Sequence, residues 1–152
     1  HLRYNHVSPF LDLAGTYPID KLIADATSHY VFKYDNNERI IEIINNHYHT
    51  EKQHPLASLG VYKVRIDYSK NKEIRTFFDK NGKRIVNDRN VLKEVYSYNK
   101  KGVKSKLQFF NLDDKPMESN WGIAEYSWSE HKKLIIEKRY NLKNEAVLLV
   151  FQ

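Results

Sequence analysis

From His29 onward, apolar and polar residues alternate with a period of two along most of the chain, the spacing of a half-buried strand. His29-Tyr30-Val31-Phe32-Lys33-Tyr34 predicts a strand, Asp35-Asn36-Asn37 a turn, and residues 39–44 the returning strand of a hairpin. Three more hairpins follow by the same pattern: 60–68 with 73–78, 92–98 with 103–110, and 123–128 with 133–140. Residues 147–151 predict a last strand. Before His29 the period is different. Pro18 suits a first helical position, and Ile19, Leu22, Ile23 and Ala26 stand at i, i+3, i+4 and i+7, which predicts a short helix over 18–27 with Asp20 near its positive end.

The hairpins share a common wording. Tyr68, Tyr98 and Trp128 stand thirty residues apart, and each is followed by a polar turn, a strand-like run ending in an aromatic residue, and a second polar turn. Tyr34 begins a fainter, earlier copy. Consecutive strands joined by short turns make a meander, and one hairpin alone cannot bury its apolar face, so stacked copies must supply the core. The expected fold is therefore mainly β: an antiparallel meander of tandem β-hairpin repeats with one short N-terminal helix. With 152 residues the chain is expected to form a single domain, in which 1–28 precede the repeats of 29–152.

Composition sharpens this picture. Aromatic residues make up 13% of the chain and eleven of them are Tyr, whose ring covers a pleated surface while its hydroxyl stays wet. Tyr96 and Tyr98 share one face of their strand, Tyr126 and Trp128 share the corresponding face of the next copy, and Trp121 sits at the rim. Their simplest role is a cross-strand ladder that pins register. If open to solvent, the same rows would form a platform for sugar rings or an extended peptide. The net charge of +6 permits anionic partners, yet the signs are interspersed, and Lys100, Lys101, Lys104 and Lys106 read as the wet face of a turn and strand, so nucleic acid is not favoured. No run approaches the length of a membrane span. The absence of cysteine removes disulfides, thiol nucleophiles and Cys-ligated zinc.

Two constellations could carry chemistry. The segment 45–59 interrupts the hairpins as a long loop containing His47, His49 and His54; the first two fall on one side of an extended stretch, and His54 or Glu51 could complete a zinc site, although no standard zinc spacing is matched. Paired carboxylates are the other. Asp113 and Asp114 are adjacent and lie in a turn, while Glu42, Glu94, Glu125 and Glu137 lie in strands, where a solvent-facing position or a cross-strand pair with Lys or Arg is expected. No serine stands in a Gly-x-Ser-x-Gly setting, and the five glycines are too scattered to cradle a phosphate. Catalytic residues are thus not assigned.

Tyr34-Asp35-Asn36-Asn37 and Phe78-Asp79-Lys80-Asn81-Gly82-Lys83 resemble the two halves of the unit in bacterial extracytoplasmic proteins with YD-type (RHS- or MORN-like) tandem β-hairpin repeats. Asn111-Leu112-Asp113-Asp114-Lys115-Pro116 keeps the turn chemistry without glycine, and Asn141-Leu142-Lys143-Asn144-Glu145-Ala146 keeps less of it. The resemblance covers residues 30–151 and implies a secreted, periplasmic or surface β-sheet used for display or binding; it carries over no catalytic residue and no cofactor. The expected function is a non-enzymatic binding or structural module recognising protein or polysaccharide through Tyr96, Tyr98, Trp121, Tyr126 and Trp128. The alternatives are a hydrolase of an envelope polysaccharide, whose hallmark is two convergent carboxylates, and a part of a longer repeat protein.

Overall fold

A computed structural model describes residues 3–4, 13–15, 30–45 and 61–148. Two short strands, β1 (Arg3–Tyr4) and β2 (Leu13–Gly15), pair with each other. The remaining strands are β3 (Tyr30–Tyr34), β4 (Ile40–Asn45), β5 (Lys63–Ser69), β6 (Lys72–Phe78), β7 (Lys93–Tyr98), β8 (Lys104–Phe110), β9 (Glu125–His131) and β10 (Leu134–Tyr140). They form one eight-stranded sheet in sequential order from β3 to β10, the mainly β antiparallel meander that the alternation predicts. Among the described residues there is no helix. The helix expected over 18–27 and the histidine-bearing loop lie outside them. Of the strand expected over 147–151, only Val147 and Leu148 are described, and they are not in a strand.

One turn recurs and sets the geometry. At Asp79 the backbone N–H donates to the Lys83 carbonyl (2.9 Å) and Gly82 N–H donates back to the Asp79 carbonyl (3.2 Å). Asp79 Oδ1 accepts from the N–H groups of Asn81 and Lys83, both at 2.9 Å. The same four bonds form at Asp35, Asn99, Asn111 and Asn141. This is a three-residue hairpin loop: a type I turn, then a left-handed residue that bulges the strand. The left-handed position is held by Glu38 (φ 62°), Gly82 (φ 80°), Gly102 (φ 75°), Asp114 (φ 58°) and Asn144 (φ 60°). At Ser119 the two backbone bonds persist, with Gly122 left-handed, while the shorter hydroxyl reaches only Trp121 N–H, at 3.3 Å. The β9–β10 connection is different. Lys132 (φ 47°) and Lys133 (φ 66°) are both left-handed and close a two-residue type I′ loop.

Two compact units divide the chain: His1–Ile66 with Thr76–Asp88, and Asp67–Arg75 with Arg89–Gln152. In the first, Ile43, Val61, Val64, Ile66 and Phe77 are buried. Ile43 faces Val64 where β4 pairs with β5. In the second, alternate residues of successive strands are buried: Tyr96 on β7, Leu107 and Phe109 on β8, Tyr126 and Trp128 on β9. Val91 and Ile123 are buried just ahead of β7 and β9. Each lies thirteen residues beyond an aromatic strand end, Phe78 and Phe110 respectively, so the linkers are equal in length. The hairpin loops are not equal, since the Asn99 loop is longer than the Lys132-Lys133 loop.

Candidate functional site

The buried face of the second unit joins aromatic rings to ion pairs. Tyr96 faces Leu107, Leu107 faces Tyr126, and Tyr126 faces Arg139, so one row crosses four strands. Because side chains alternate along a strand, Glu94 and Tyr98, Phe109, Trp128 and Glu137 fall on the same face. Trp128 stacks on Tyr126 (5.9 Å between ring centroids) and on Tyr96 (6.5 Å), and Phe109 meets Tyr126 edge to face (6.1 Å). These spacings are those of favourable aromatic pairs.

Cations and carboxylates frame the rings. The Arg75 guanidinium lies 4.7 Å from the Tyr96 ring centroid and the Lys104 ammonium 4.3 Å from it, within the range of cation–π attraction. Arg75 also pairs with Glu73 (3.0 Å), whose other oxygen accepts from the Tyr98 hydroxyl (2.5 Å). Arg89 pairs with Glu94 (2.9 Å). Glu137 accepts from Trp128 Nε1 (2.8 Å) and pairs with Arg139 (2.5 Å). Burying Glu73 and Glu94 is tolerable only because each carboxylate meets a guanidinium. Burial, together with the hydrogen bond to the Glu73 carboxylate, pushes the Tyr98 hydroxyl well above its ordinary pKa. Burial pushes Tyr126 up to about 12. Both environments favour the neutral phenol, and the Tyr98 hydroxyl donates to Glu73.

The sequence-predicted residues divide. Tyr96, Tyr126 and Trp128 are buried, Tyr98 is half-buried, and Trp121, at the Ser119 turn, is 40% exposed. The three buried rings make the cross-strand ladder, while Tyr98 and Trp121 are the two that solvent reaches. His47, His49 and His54 lie outside the described residues. Among the described residues, no three His, Cys, Asp or Glu side chains converge to hold a metal ion, and no helix is long and apolar enough to cross a membrane. Two strand carboxylates take the expected cross-strand partners: Glu42 lies between Lys33 (3.4 Å) and Lys63 (3.9 Å), and Glu125 is 3.7 Å from Lys106, whereas Glu94 is buried on Arg89 five residues earlier in the chain and Glu137 pairs with Arg139 of its own strand. Asp114 pairs with Lys93 (2.6 Å) at the surface.

Sequence reasoning did not single out Glu73, Arg75 and Arg89. A signal was present in Glu73-Ile74-Arg75-Thr76-Phe77, where two charged residues hold the alternate positions that end on a buried ring. Charges at core-facing strand positions mark a buried pair. Comparison with family models, with curated proteins and with solved structures gives no match.

Proposed function

We propose that the chain is a non-enzymatic binding or structural module of a secreted, periplasmic or surface bacterial protein. On this reading it is built of tandem hairpins of the YD-type (RHS- or MORN-like) kind and recognises a protein or a polysaccharide. The observation that carries the reading is the recurrence of one turn together with one return bond behind it. Ile85 N–H donates to the Phe77 carbonyl (3.0 Å), Met117 N–H to that of Phe109 (3.0 Å), and Val147 N–H to that of Arg139 (2.8 Å). Such recurrence supports a chain that grows by adding copies, each pairing along its edge with the next. The buried carboxylates support a structural role for the polar residues, since Glu73 and Glu94 are each tied to an arginine. Tyr98 and Trp121 are the aromatic side chains through which a ligand would be met.

The test is a titration of tryptophan fluorescence against envelope glycans and against extended peptides, with release of reducing ends followed in the same samples. The expected result is a saturable change that Trp121→Ala weakens, without turnover. Turnover of any glycan would overturn the non-enzymatic reading.

A further inference from the structure

Strand β10 ends the sheet order, yet three consecutive residues on it are exposed apolar side chains: Leu134 (66%), Ile135 (45%) and Ile136 (40%). An exposed apolar strand at a sheet edge is a template for another strand. The two-residue loop makes His131 and Leu134 the hydrogen-bonded pair next to the turn, so the backbone groups of Leu134, Ile136 and Lys138 point at β9. Those of Ile135 and Glu137 point the other way, where no described strand lies.

The chain itself displays what covers such a side. β8 leads into the Asn111 turn and the Met117 return bond as β10 leads into the Asn141 turn and the Val147 return bond, and β8 carries the first strand of the next hairpin, β9. At the other end of the order, β3 is also the first strand of a hairpin and has no described neighbour beyond it. First strands are matched through their own hairpins: Tyr126 faces Arg139, Glu94 faces Phe109 and Tyr30 faces Asn45. β3 and β7 also share a register shift just before Tyr34 and Tyr98.

We propose that the open side of β10 binds β3 of a second copy of this chain, head to tail, in the register by which β8 carries β9. The register of Leu107 with Tyr126 then sets Glu137 opposite Tyr30 of the second copy, Ile136 opposite Val31 and Ile135 opposite Phe32. Both apolar residues thereby gain an apolar neighbour on their own faces of the sheet. Pairing β10 with another β10 about Glu137 would instead set Ile135 and Ile136 opposite Arg139 and Lys138 and bring two carboxylates together. A heterologous contact of this kind does not close on itself, so copies add in sequence. The inference rests on the modular reading of the hairpins but needs no ligand, so a failed ligand titration and a failed assembly test are separate results.

The experiment is light scattering of the full chain across a concentration series, alone and with variants. Ile135→Pro removes an outward N–H that only an added strand uses, at an edge position where proline is tolerated. Phe32→Pro blocks the other edge. The expected wild-type mass rises past two copies as concentration increases, while each variant alone stays a single copy with an unchanged far-ultraviolet circular dichroism spectrum. Mixed, the two variants form a pair and stop there, because each supplies the edge the other lacks. Should a proline variant fail to fold, Ile136→Lys and Val31→Lys replace it, each expected to weaken association about tenfold or more. A wild-type chain that stays single throughout, a mass that levels at two copies, or blocked variants that do not pair when mixed would overturn the proposal.

Discussion

Replacing Gly82 by alanine isolates the left-handed position of the recurring turn. Gly82 has φ +80°, and a Cβ built there meets no atom within 4 Å, so crowding contributes nothing and the backbone alone sets the cost. A left-handed L-residue costs about 1–2 kcal/mol. Alanine also narrows the unfolded ensemble, which returns about 0.4–1 kcal/mol. The net expectation is a loss of about 0.5–1.5 kcal/mol for Gly82→Ala. Glu38 occupies the same position at φ 62°, is exposed, and has a long side chain with no local bond that favours the left-handed form. Glu38→Gly is accordingly expected to raise stability by about 0.5–1 kcal/mol. Urea unfolding followed by circular dichroism measures both. Shifts of the same sign, or an unchanged midpoint for Gly82→Ala, would refute the assignment of these residues to one strained position.

Three further outcomes follow from the buried face. Tyr98→Phe removes a hydroxyl donor from a carboxylate and should destabilise by about 1–2 kcal/mol in the same urea assay, with no change at the Asn99 turn by amide exchange. Trp128→Ala empties a buried ring site and should cost about 3–5 kcal/mol, whereas Trp121→Ala at the surface should stay within about 0.5 kcal/mol; equal effects would contradict the burial described. Raised tyrosine pKa values favour the neutral phenol in the fold. Stability is therefore fully present below pH 10 and falls as pH rises from there toward about 12, with Tyr126 contributing a slope of up to about 1.4 kcal/mol per pH unit. Unfolding midpoints between pH 9 and 12 give the sign, and Tyr126→Phe should flatten the fall.

The strands were legible because alternation is a local signal. The run ending at Phe78 and the run ending at Phe110 were placed to within a residue, and the Asp and Asn turns announced themselves by residue type. The end of β9 was not legible. The sequence pattern stops at Trp128, but the strand continues to His131 and turns through two lysines, residues with no particular liking for left-handed backbone. That extension alters the correspondence between hairpins. Through their own hairpins Glu94 corresponds to Tyr126, which places Trp128 with Tyr96 and not with the Tyr98 that a constant thirty-residue step pairs it with. Linkers of equal length joined to loops of unequal length produce this slip, and a fixed period cannot reveal it. The aromatic rows were legible as a ladder. Their ionic frame was not: Arg89 reaches Glu94 only through the way the chain bends into β7, and Tyr98 reaches Glu73 only once β7 lies beside β6 in the sheet.

The most direct test of the modular construction is to replace residues 111–115 with the text of residues 79–83, by Asn111→Asp, Leu112→Lys, Asp113→Asn and Asp114→Gly. The two turns form the same four hydrogen bonds, and the exchange removes the surface pair of Asp114 with Lys93. Such a pair is worth about 0–1 kcal/mol, about what glycine regains at a left-handed site. The expected result is a cooperative urea transition of unchanged steepness, with a midpoint equal to or above that of the wild type. A broadened transition, or a loss of more than about 2 kcal/mol, would contradict the interchange of turns on which the construction depends.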